Sequence, residues 1–280
     1  MNKTAGLFTL LMMFQLPGCA SNPNLNYLYT QDQRQAIARS VDQCLDLMEN
    51  HRANDHSTLP ANIRLLSWNV KKGKSKNWEE DFSRLSKLSN LIFTQEAFLT
   101  DTTMDGTDSA SFVSLSPGYV RGQAVTGVAT YSSVKPLVEC HLASTEPVLR
   151  SHKATSITLF DVPSASEQLL VANVHAINFS LGLGEFTRQM QKIETIVARH
   201  DGPVIFGGDF NTWRAKRVER VTNMARRLQL TPVEFEQDDR SIFLGHVVDH
   251  IYLRGLSVKS SRVERTLSSD HNPLIVELQL

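Results

Sequence analysis

Several apolar runs in this sequence stop at a titratable or amide side chain. The clearest is "VIFGGDFNTW", residues 204–213, in which the apolar run leads to Asp209 and Asn211. The other polar residues in this position are Asn69, Glu96, His175, Asp249, Asp270 and His271. A single one has an ordinary explanation, because Asp and Asn favour turns and a histidine can be satisfied in a core. The set as a whole predicts a cleft in which carboxylates and imidazoles can move protons or bind a cation.

The stretch before Asp209 predicts how a strand presents such groups. Residues 204–206 are apolar without alternation, which favours a strand covered on both faces. Gly207 and Gly208 allow the backbone to turn sharply or to approach a neighbouring strand closely. We expect this strand to end at a cleft, whereas a simple turn is the alternative interpretation.

The elements that must position these side chains are short β-rich runs with a few helices between them. We predict strands in "IRLLSWNV", "NLIFTQE", "VTGVATYSS", "TSITLFDV", "QLLVANVHA", "PVIFGGD", "VVDHIYLRG" and "NPLIVELQL". Helices are predicted in "NWEEDFSRLSKLSN", with Asn77 as N-cap, and in "GEFTRQMQKIETIVARH". A third helix, after Asn211, is expected to leave Arg217, Arg220 and Arg227 on its outer face. This pattern indicates an α/β fold of two packed sheets flanked by helices.

The N-terminal residues "MNKTAGLFTLLMMFQLPGCA" have the layout of an export signal. The apolar stretch from Ala5 to Phe14 is too short to span a bilayer comfortably. "LPGC" resembles a bacterial lipobox, in which Pro17 is an unusual residue, and it predicts lipidation of Cys19. By resemblance to lipoprotein sorting, Ser21 favours retention at the outer membrane. Residues 1–18 are thus predicted to be a lipoprotein-type signal peptide, and a cytoplasmic protein with an apolar N-terminus is the alternative.

The segment after the signal is predicted to be a tether and one amphipathic helix, residues 19–61. "TQDQRQAIARSVDQCLDLMEN" opens with Thr30 and Gln33 in a capping-box arrangement. Cys44 falls on the apolar stripe of this helix, so we expect a buried thiol and no disulfide.

Composition and charge restrict the classes of partner. The 280 residues are 41% hydrophobic and 21% charged, which is typical of a globular protein and argues against disorder. The 29 basic and 29 acidic residues give zero formal net charge, so a strong overall field for nucleic acid is excluded. Any attraction for phosphate must be local, and the lysine loop "KKGKSK", residues 71–76, is the best candidate. The basic helix after Asn211 is interpreted as solvated surface.

The motifs have a recognisable order along the chain. "NV" after a strand, "QE", "GDFN" and "SDH" before the last strand resemble the endonuclease/exonuclease/phosphatase superfamily, which has the DNase I-like fold. The resemblance covers about residues 62–280, and "NVHAINFSLG" with "SSDHNPLIVEL" looks closer still to the bacterial YafD-like branch. It implies a four-layer α-β-β-α sandwich, with two packed mixed β-sheets flanked by helices, over residues 62–280.

The resemblance also implies a divalent-metal-dependent phosphoesterase. Glu96 is the expected metal ligand, Asn69 assists it, and Asp270 is expected as a second ligand. Mg²⁺ is the expected ion and Mn²⁺ the alternative, because both accept oxygen ligands.

The same resemblance assigns roles to the remaining motif residues. Asp209 would orient or deprotonate the attacking water, and Asn211 would donate a hydrogen bond to a phosphate oxygen. His271, paired with Asp249, would stabilise the negative charge that develops on phosphorus. His175 occupies the position of a phosphate-contacting or general-acid side chain.

The substrate stays open, because one fold serves many chemistries. The first hypothesis is a nuclease or phosphodiesterase that acts by in-line attack of an activated water, with Lys72, Lys74, Asn178 and Asn211 contacting the substrate. The alternatives are a lipid-headgroup or small-molecule phosphodiesterase or phosphatase, for which no membrane-inserting apolar hairpin is evident, and an envelope protein that binds a phosphate ligand without turnover. We expect a monomer on the periplasmic face of the outer membrane, anchored through Cys19.

Overall fold

The computed structural model describes residues 37–51, 57–99, 110–121, 124–147, 150–163, 166–180 and 182–280. Cys19, Thr30 and Gln33 lie outside these ranges, so the predicted lipid anchor, signal peptide and capping box stay predictions. Among the helices that the structure describes, none has the length and apolarity needed to cross a bilayer.

The described residues form fifteen strands and four α-helices. The strands are β1 Ile37–Ala38, β2 Asn62–Asn69, β3 Leu91–Leu99, β4 Phe112–Arg121, β5 Ala124–Ser132, β6 Val138–Thr145, β7 His152–Phe160, β8 Leu169–His175, β9 Val204–Asp209, β10 Thr231–Pro232, β11 Ile242–Phe243, β12 His246–Val247, β13 Asp249–Arg254, β14 Ser257–Val263 and β15 Leu274–Gln279. The helices are α1 Val41–Asn50, α2 Trp78–Ser86, α3 Gly184–Val197 and α4 Ala215–Arg227.

The strands build two large mixed sheets and one small hairpin. The larger sheet has seven strands in the order β1-β6-β7-β8-β9-β13-β10, and the second has six in the order β14-β15-β2-β3-β5-β4. β11 and β12 pair only with each other. In the larger sheet β8 and β9 are parallel neighbours, and β13 is antiparallel to β9.

Apolar side chains hold the two sheets and the helices in four layers. Leu65 and Phe93 of the six-stranded sheet pack against Val171 and Ile251 of the other in one buried cluster. A second cluster joins the outer face of the seven-stranded sheet to α1, α3 and α4, and a third joins α2 to the six-stranded sheet. The predicted α-β-β-α sandwich is thus confirmed.

Each of the eight runs that were predicted to form strands contains a strand. None of these runs predicts β4, β6 or β14. β4 and β6 carry buried polar side chains, which hide the strand pattern. His141 of β6 lies 4% exposed with its Nε2 3.1 Å from the Ser114 hydroxyl of β4. Such side chains are paired across the sheets and not with water, so their polarity does not mark exposure.

The N-terminal helix begins later than predicted. Ile37–Ala38 is a strand that pairs in parallel with β6, and α1 begins at Val41. Ser40 is its N-cap, and its hydroxyl accepts a hydrogen bond from the Gln43 amide at 3.2 Å. The described part of the predicted tether therefore adds an edge strand and a packed helix to the domain.

The prediction of a free buried thiol at Cys44 is wrong, because Cys44 and Cys140 form a disulfide. Cys44 does face the core, as its apolar stripe indicates, but the sequence does not show that β6 places Cys140 opposite it. The two residues are 96 positions apart. A loop of this length gives about 4–5 kcal/mol of stabilisation in the chain-entropy model.

Candidate active site

Three of the predicted site residues stand in one row across the seven-stranded sheet. His175 at the end of β8 is directly paired with Asp209 at the end of β9, which is paired with Asp249 at the start of β13. All three side chains are buried. Gly208 makes the row possible, because its φ is 130° and a Cβ there would lie 2.2 Å from the Val174 carbonyl oxygen. Directly paired residues project to the same face, so the sheet register itself brings these groups together.

The six-stranded sheet contributes residues from irregular backbone. Asn69 ends β2, and Glu96 lies at a register shift of β3 with a φ of 51°. Asp270 and His271 precede β15 in a loop that Ser269 ties to β2, since its hydroxyl donates to the Asn69 carbonyl at 2.7 Å. A bulge re-aims a side chain at the edge of a cleft, which is the position of Glu96 here.

These residues line one cavity of about 210 Å³ between the ends of the two sheets. The predicted residues in its lining are Asn69, Glu96, His175, Asn178, Asp209, Asn211, Asp270 and His271. Lys71, Ser241, Ile242, Phe243 and Val248 complete the lining. The structure therefore brings the motif residues into one cleft, with an apolar wall that the sequence did not indicate.

Asp209 is the central carboxylate of the cleft. Its Oδ1 accepts the backbone N–H of Asn211 at 2.9 Å, and its Oδ2 accepts the Asn69 amide at 3.0 Å. The Asn211 side-chain amide donates to the Ala176 carbonyl at 3.0 Å and approaches Asp209 at 3.3 Å. Both asparagines thus hold Asp209 in place. Burial raises the pKa of Asp209 to about 6, against the lowering effect of His271.

His271 and Asp249 form a close pair. The imidazole Nδ1 lies 2.8 and 3.0 Å from the two oxygens of Asp249, and Nε2 lies 3.9 Å from Asp209 Oδ2. Burial by itself lowers the pKa of His271, but the carboxylates of Asp249 and Asp209 outweigh it and raise the pKa to about 10. The imidazole is therefore positively charged at neutral pH, with Nε2 free to face the cavity.

His175 has a lysine partner that the sequence did not indicate. The Lys153 ammonium lies 2.7 Å from His175 Nε2, which in turn lies 3.5 Å from Asp209 Oδ2. Burial and the adjacent lysine hold the pKa of His175 well below its usual range. Burial also lowers the pKa of Lys153, while Glu146 and Glu96 oppose that effect. Because its pKa is lowered, His175 is neutral at pH 7, and its Nε2 can accept a hydrogen bond from Lys153.

The lysines of the predicted lysine loop differ in position, because some contact cleft carboxylates and another lies outside the cavity lining. Lys72 reaches inward, with its ammonium 2.8 Å from Glu96 Oε2, and Lys71 lies 3.4 Å from Asp270 Oδ2. Lys74 is exposed and is not part of the cavity lining. Two of the lysines therefore neutralise cleft carboxylates.

The loop that carries Asn178 is held from two sides. The buried carboxylate of Glu146 accepts the N–H groups of Asn178 and Phe179 at 2.8 and 3.1 Å. Arg217 donates to the carbonyls of Ile177 and Asn178 at 2.6 and 2.8 Å. The expectation that Arg217 faces outward is wrong, because the side chain is fully buried and its two terminal nitrogens donate to carbonyl groups.

Comparison with known proteins identifies the family. A family model described as "Endonuclease/Exonuclease/phosphatase family" matches residues 66–271. The chain belongs to this family. A UPF0294 protein of Klebsiella pneumoniae (strain 342) is 37% identical over 216 residues, which are 77% of this chain and 81% of that protein. This relative supports the narrower resemblance to a bacterial branch.

Solved structures of the endonuclease/exonuclease/phosphatase family share the fold at low identity. Humanised Danio rerio TDP2 with 14 mutations has a TM-score of 0.60 and 17% identity, covering 79% of this chain and 100% of that one. A family protein from Leptotrichia buccalis has a TM-score of 0.58 and 18% identity, with 78% and 100% covered. The catalytic domain of human nocturnin with bound sulfate has a TM-score of 0.56 and 16% identity, covering 80% of this chain and 97% of that one. These likenesses establish the α/β sandwich of this chain.

The donor groups of the cleft suit the divalent cation that the family implies. Glu96 and Asp270 present carboxylate oxygens to the cavity, and the Lys72 ammonium on Glu96 shows that this position attracts a cation. A second set, formed by Asp209, Asp249 and His271, has ligand atoms within 4.8 Å of one another. An all-oxygen set suits Mg²⁺ or Mn²⁺, whereas a set with imidazole suits ions such as Zn²⁺. In the second set His271 and Asp249 already contact each other, so Glu96 is the better position for a cation.

Proposed function

We propose that the chain is a divalent-metal-dependent phosphodiesterase. The observation that carries the proposal is the pairing of Asp209 and His271 in one cavity, 3.9 Å apart, with pKa values of about 6 and about 10 that lie on either side of neutrality. A carboxylate with a pKa near 6 can act as a base at neutral pH, and a charged imidazole can stabilise the negative charge that develops during hydrolysis of a phosphate ester.

Asp209 acts as the base in this proposal. Its carboxylate accepts a proton from a water that attacks phosphorus, the bond from phosphorus to the leaving oxygen breaks, and the leaving oxyanion takes a proton from solvent water. The hydrogen bonds from Asn69 and Asn211 hold the carboxylate in place. His271 donates from Nε2 to an oxygen on phosphorus, where negative charge accumulates. Asp249 fixes the ring through Nδ1, so that Nε2 stays directed inward. Asn211 acts through Asp209 in this arrangement, since its amide already has two acceptors in the protein.

The opposite side of the cleft binds the phosphate. Lys153 supplies positive charge next to His175, and Asn178 lines the cavity on a loop that Glu146 and Arg217 hold. Glu96 and Asp270 would hold the cation, which, when bound, neutralises phosphate oxygens and lowers the pKa of water. Lys72 must leave Glu96 for a cation to enter, and it is then available to contact substrate.

The first test is hydrolysis of bis(p-nitrophenyl) phosphate and nicking of supercoiled plasmid by the full chain in Mg²⁺ and in Mn²⁺. We expect turnover of the diester that chelation with EDTA abolishes and that His271→Ala reduces strongly. Leu88→Ser, at an exposed leucine outside the cavity lining, serves as the folded comparison variant. Turnover that persists in EDTA, or that His271→Ala leaves unchanged, would contradict the proposal. Calorimetric phosphate binding without turnover would favour the binding-protein alternative.

We further propose that the chain is exported and anchored through Cys19 at the periplasmic face of the outer membrane. The Cys44–Cys140 disulfide supports export, because such bonds persist in oxidising compartments. Incorporation of labelled palmitate that Cys19→Ser abolishes would support the anchor, and a signal that survives this substitution would contradict it.

A further inference from the structure

Several exposed apolar side chains lie on segments that line or adjoin the cavity. Among the described residues the large hydrophobic side chains that stand exposed are Leu88, Phe179, Ile242, Phe243, Leu244, Val258 and Leu267. Five of these seven, all except Leu88 and Val258, belong to segments that line or adjoin the cavity. Three of the five, Ile242, Phe243 and Leu244, are consecutive, and a contiguous exposed apolar surface marks an interaction site, whereas scattered residues do not. We name the five residues the apolar rim.

The β11–β12 hairpin forms the most prominent part of the apolar rim. Ile242, Phe243 and Leu244 follow one another and are 66%, 54% and 68% exposed. Leu244 and Gly245 form its turn with φ values of 49° and 81°, and open space surrounds the glycine. Positive φ at both turn positions is typical of a tight hairpin, so the tip projects as a narrow protrusion.

Leu267 belongs to the same side of the cleft mouth. It is 99% exposed, in the loop that precedes His271. Asn272 connects this loop to the hairpin, because its backbone N–H donates to the Ser241 hydroxyl at 2.8 Å and its side chain accepts the Thr266 N–H at 3.1 Å. Phe179 lies on the segment that follows the cavity residue Asn178. The apolar rim thus includes parts of three separate segments around one opening.

We infer that the apolar rim contacts the surface of a lipid bilayer, and that the cleft takes its phosphodiester from an amphiphile in that surface. The second half of this inference rests on the proposed function. No membrane-inserting apolar hairpin is evident in the sequence, but the structure has a short hairpin with exposed apolar residues, β11–β12, beside the cavity.

The shape and chemistry of the rim favour a bilayer over other partners. A peptide partner needs a groove, whereas these side chains protrude. Nucleic-acid bases stack on aromatic faces, yet Ile242, Leu244 and Leu267 are aliphatic. Lys71 and Lys72 lie on cleft carboxylates, so the local charge that would attract a polyanion is reduced. Short apolar protrusions beside a polar cleft suit insertion among lipid chains next to their headgroups.

The chain outside the described residues has the length that this contact requires. If Cys19 carries a lipid, residues 20–36 separate the anchor from β1 at Ile37. These residues reach about 60 Å at full extension, at roughly 3.5 Å each. A domain of this size has an expected radius of gyration of only about 17 Å, so the anchor leaves the rim free to face the bilayer.

The first test is local to the rim, because the N-terminal segment of the full chain can itself bind vesicles. Leu244→Trp and Leu88→Trp are made in the full chain with Cys19→Ser, and the emission of the parent protein is subtracted. Leu88 is the matched control, since it is an exposed leucine beyond α2 and outside the cavity lining. With phosphatidylcholine–phosphatidylglycerol vesicles that contain brominated acyl chains, we expect a blue shift and loss of emission for Leu244→Trp alone.

Two results would overturn the inference. Equal quenching at both positions, or none at either, would show that the rim does not enter the bilayer. Quenching of Leu244→Trp by a single-stranded oligonucleotide but not by vesicles would assign the rim to nucleic acid instead.

An activity test separates the inference from the proposed function. Leu244→Ser and Leu267→Ser are expected to lower hydrolysis of vesicle-borne phosphodiester by about tenfold each, the factor for loss of one buried leucine. Hydrolysis of bis(p-nitrophenyl) phosphate should not change, because neither residue lines the cavity. Loss of both activities in parallel would overturn the inference. If the parent protein hydrolyses neither substrate, the proposed function fails, and the fluorescence result still decides whether the rim binds lipid.

Discussion

His175, Asp209 and Asp249 stand in one row across three neighbouring strands of the seven-stranded sheet, whereas Glu96 and Asp270 lie where the six-stranded sheet gives way to a bulge and a loop. The row is buried, while the Glu96 and Asp270 side chains are 23% and 58% exposed. The sheet register fixes the first group, and burial shifts the pKa values of His175 and Asp209. The second group lies on irregular backbone and is partly exposed to water, so that a cation can enter and leave.

Under the proposed function, this difference assigns proton transfer to the row and cation binding to the six-stranded side. Substitutions in the row should change the pH dependence and the chemical step. Substitutions on the six-stranded side should change the metal requirement. Four substitutions test this division.

The largest effect is expected for Asp209→Asn, which keeps the shape of the side chain and removes the base. We expect kcat/KM to fall by about 10²–10⁴, the range for loss of a general base. Steady-state kinetics on bis(p-nitrophenyl) phosphate measure it, with circular dichroism as the check on folding. A folded variant with activity within a few-fold of the parent would show that Asp209 does not act in the chemical step. The proposed division of roles between the two sides would then be wrong.

The next effect is expected for Asp249→Asn, as a change in the pH dependence of stability. The pKa of His271 is raised from 6.5 to about 10 by the neighbouring carboxylates. The charged imidazole therefore stabilises the fold fully below pH 6.5, and this contribution disappears as the pH rises through 10. Asp249→Asn should lower the free energy of unfolding by on the order of 2 kcal/mol at pH 6, since Asp209 and Asp270 retain part of the effect.

Urea denaturation at several pH values measures that difference. The gap between the parent and Asp249→Asn should narrow steadily between pH 6.5 and 10. A gap that stays constant with pH would mean that Asp249 acts through packing and not through the charge of His271.

Much of this arrangement could be predicted from the sequence. Apolar runs that end in polar residues mark strand ends, and the end of a strand is also where a side chain can leave the core. The order of short motifs then places Glu96, Asp209 and His271 in one cleft, which the structure confirms as a geometric fact. These features are local, so the sequence carries them directly.

The rest depends on contacts between distant segments. Lys153 becomes part of the cleft only because β7 lies next to β8, and the disulfide joins residues 96 positions apart. Arg217 lies on a face that its charge marks as outer, yet the carbonyls of the 177–178 segment satisfy it in the interior. The β11–β12 hairpin has two residues in each strand, too few for any periodicity to appear.

A smaller effect is expected for Glu96→Gln, which removes the charge that attracts the cation. We expect the Mg²⁺ concentration for half-maximal activity to rise by about tenfold or more, in keeping with the loss of one charged oxygen ligand. Magnesium titrations of turnover measure this value. The pH profile should stay unchanged, because Glu96 lies outside the buried row. A changed pH profile with an unchanged Mg²⁺ requirement would assign Glu96 to proton handling.

The smallest effect is expected for Asp270→Asn. The Asp270 side chain is more than half exposed and pairs with the equally accessible Lys71, so its charge is well screened by water. We expect the half-saturating Mg²⁺ concentration to rise by at most about fivefold, the range for an exposed ion pair. Lys71→Met is the matched control, because it removes the same ion pair and keeps the carboxylate. If Asp270→Asn raises the Mg²⁺ requirement as much as Glu96→Gln while Lys71→Met does not, Asp270 is as important a cation ligand as Glu96. Exposure of a side chain would then be a poor guide to its function on the six-stranded side. Burial would predict the role of a residue only in the row formed by His175, Asp209 and Asp249.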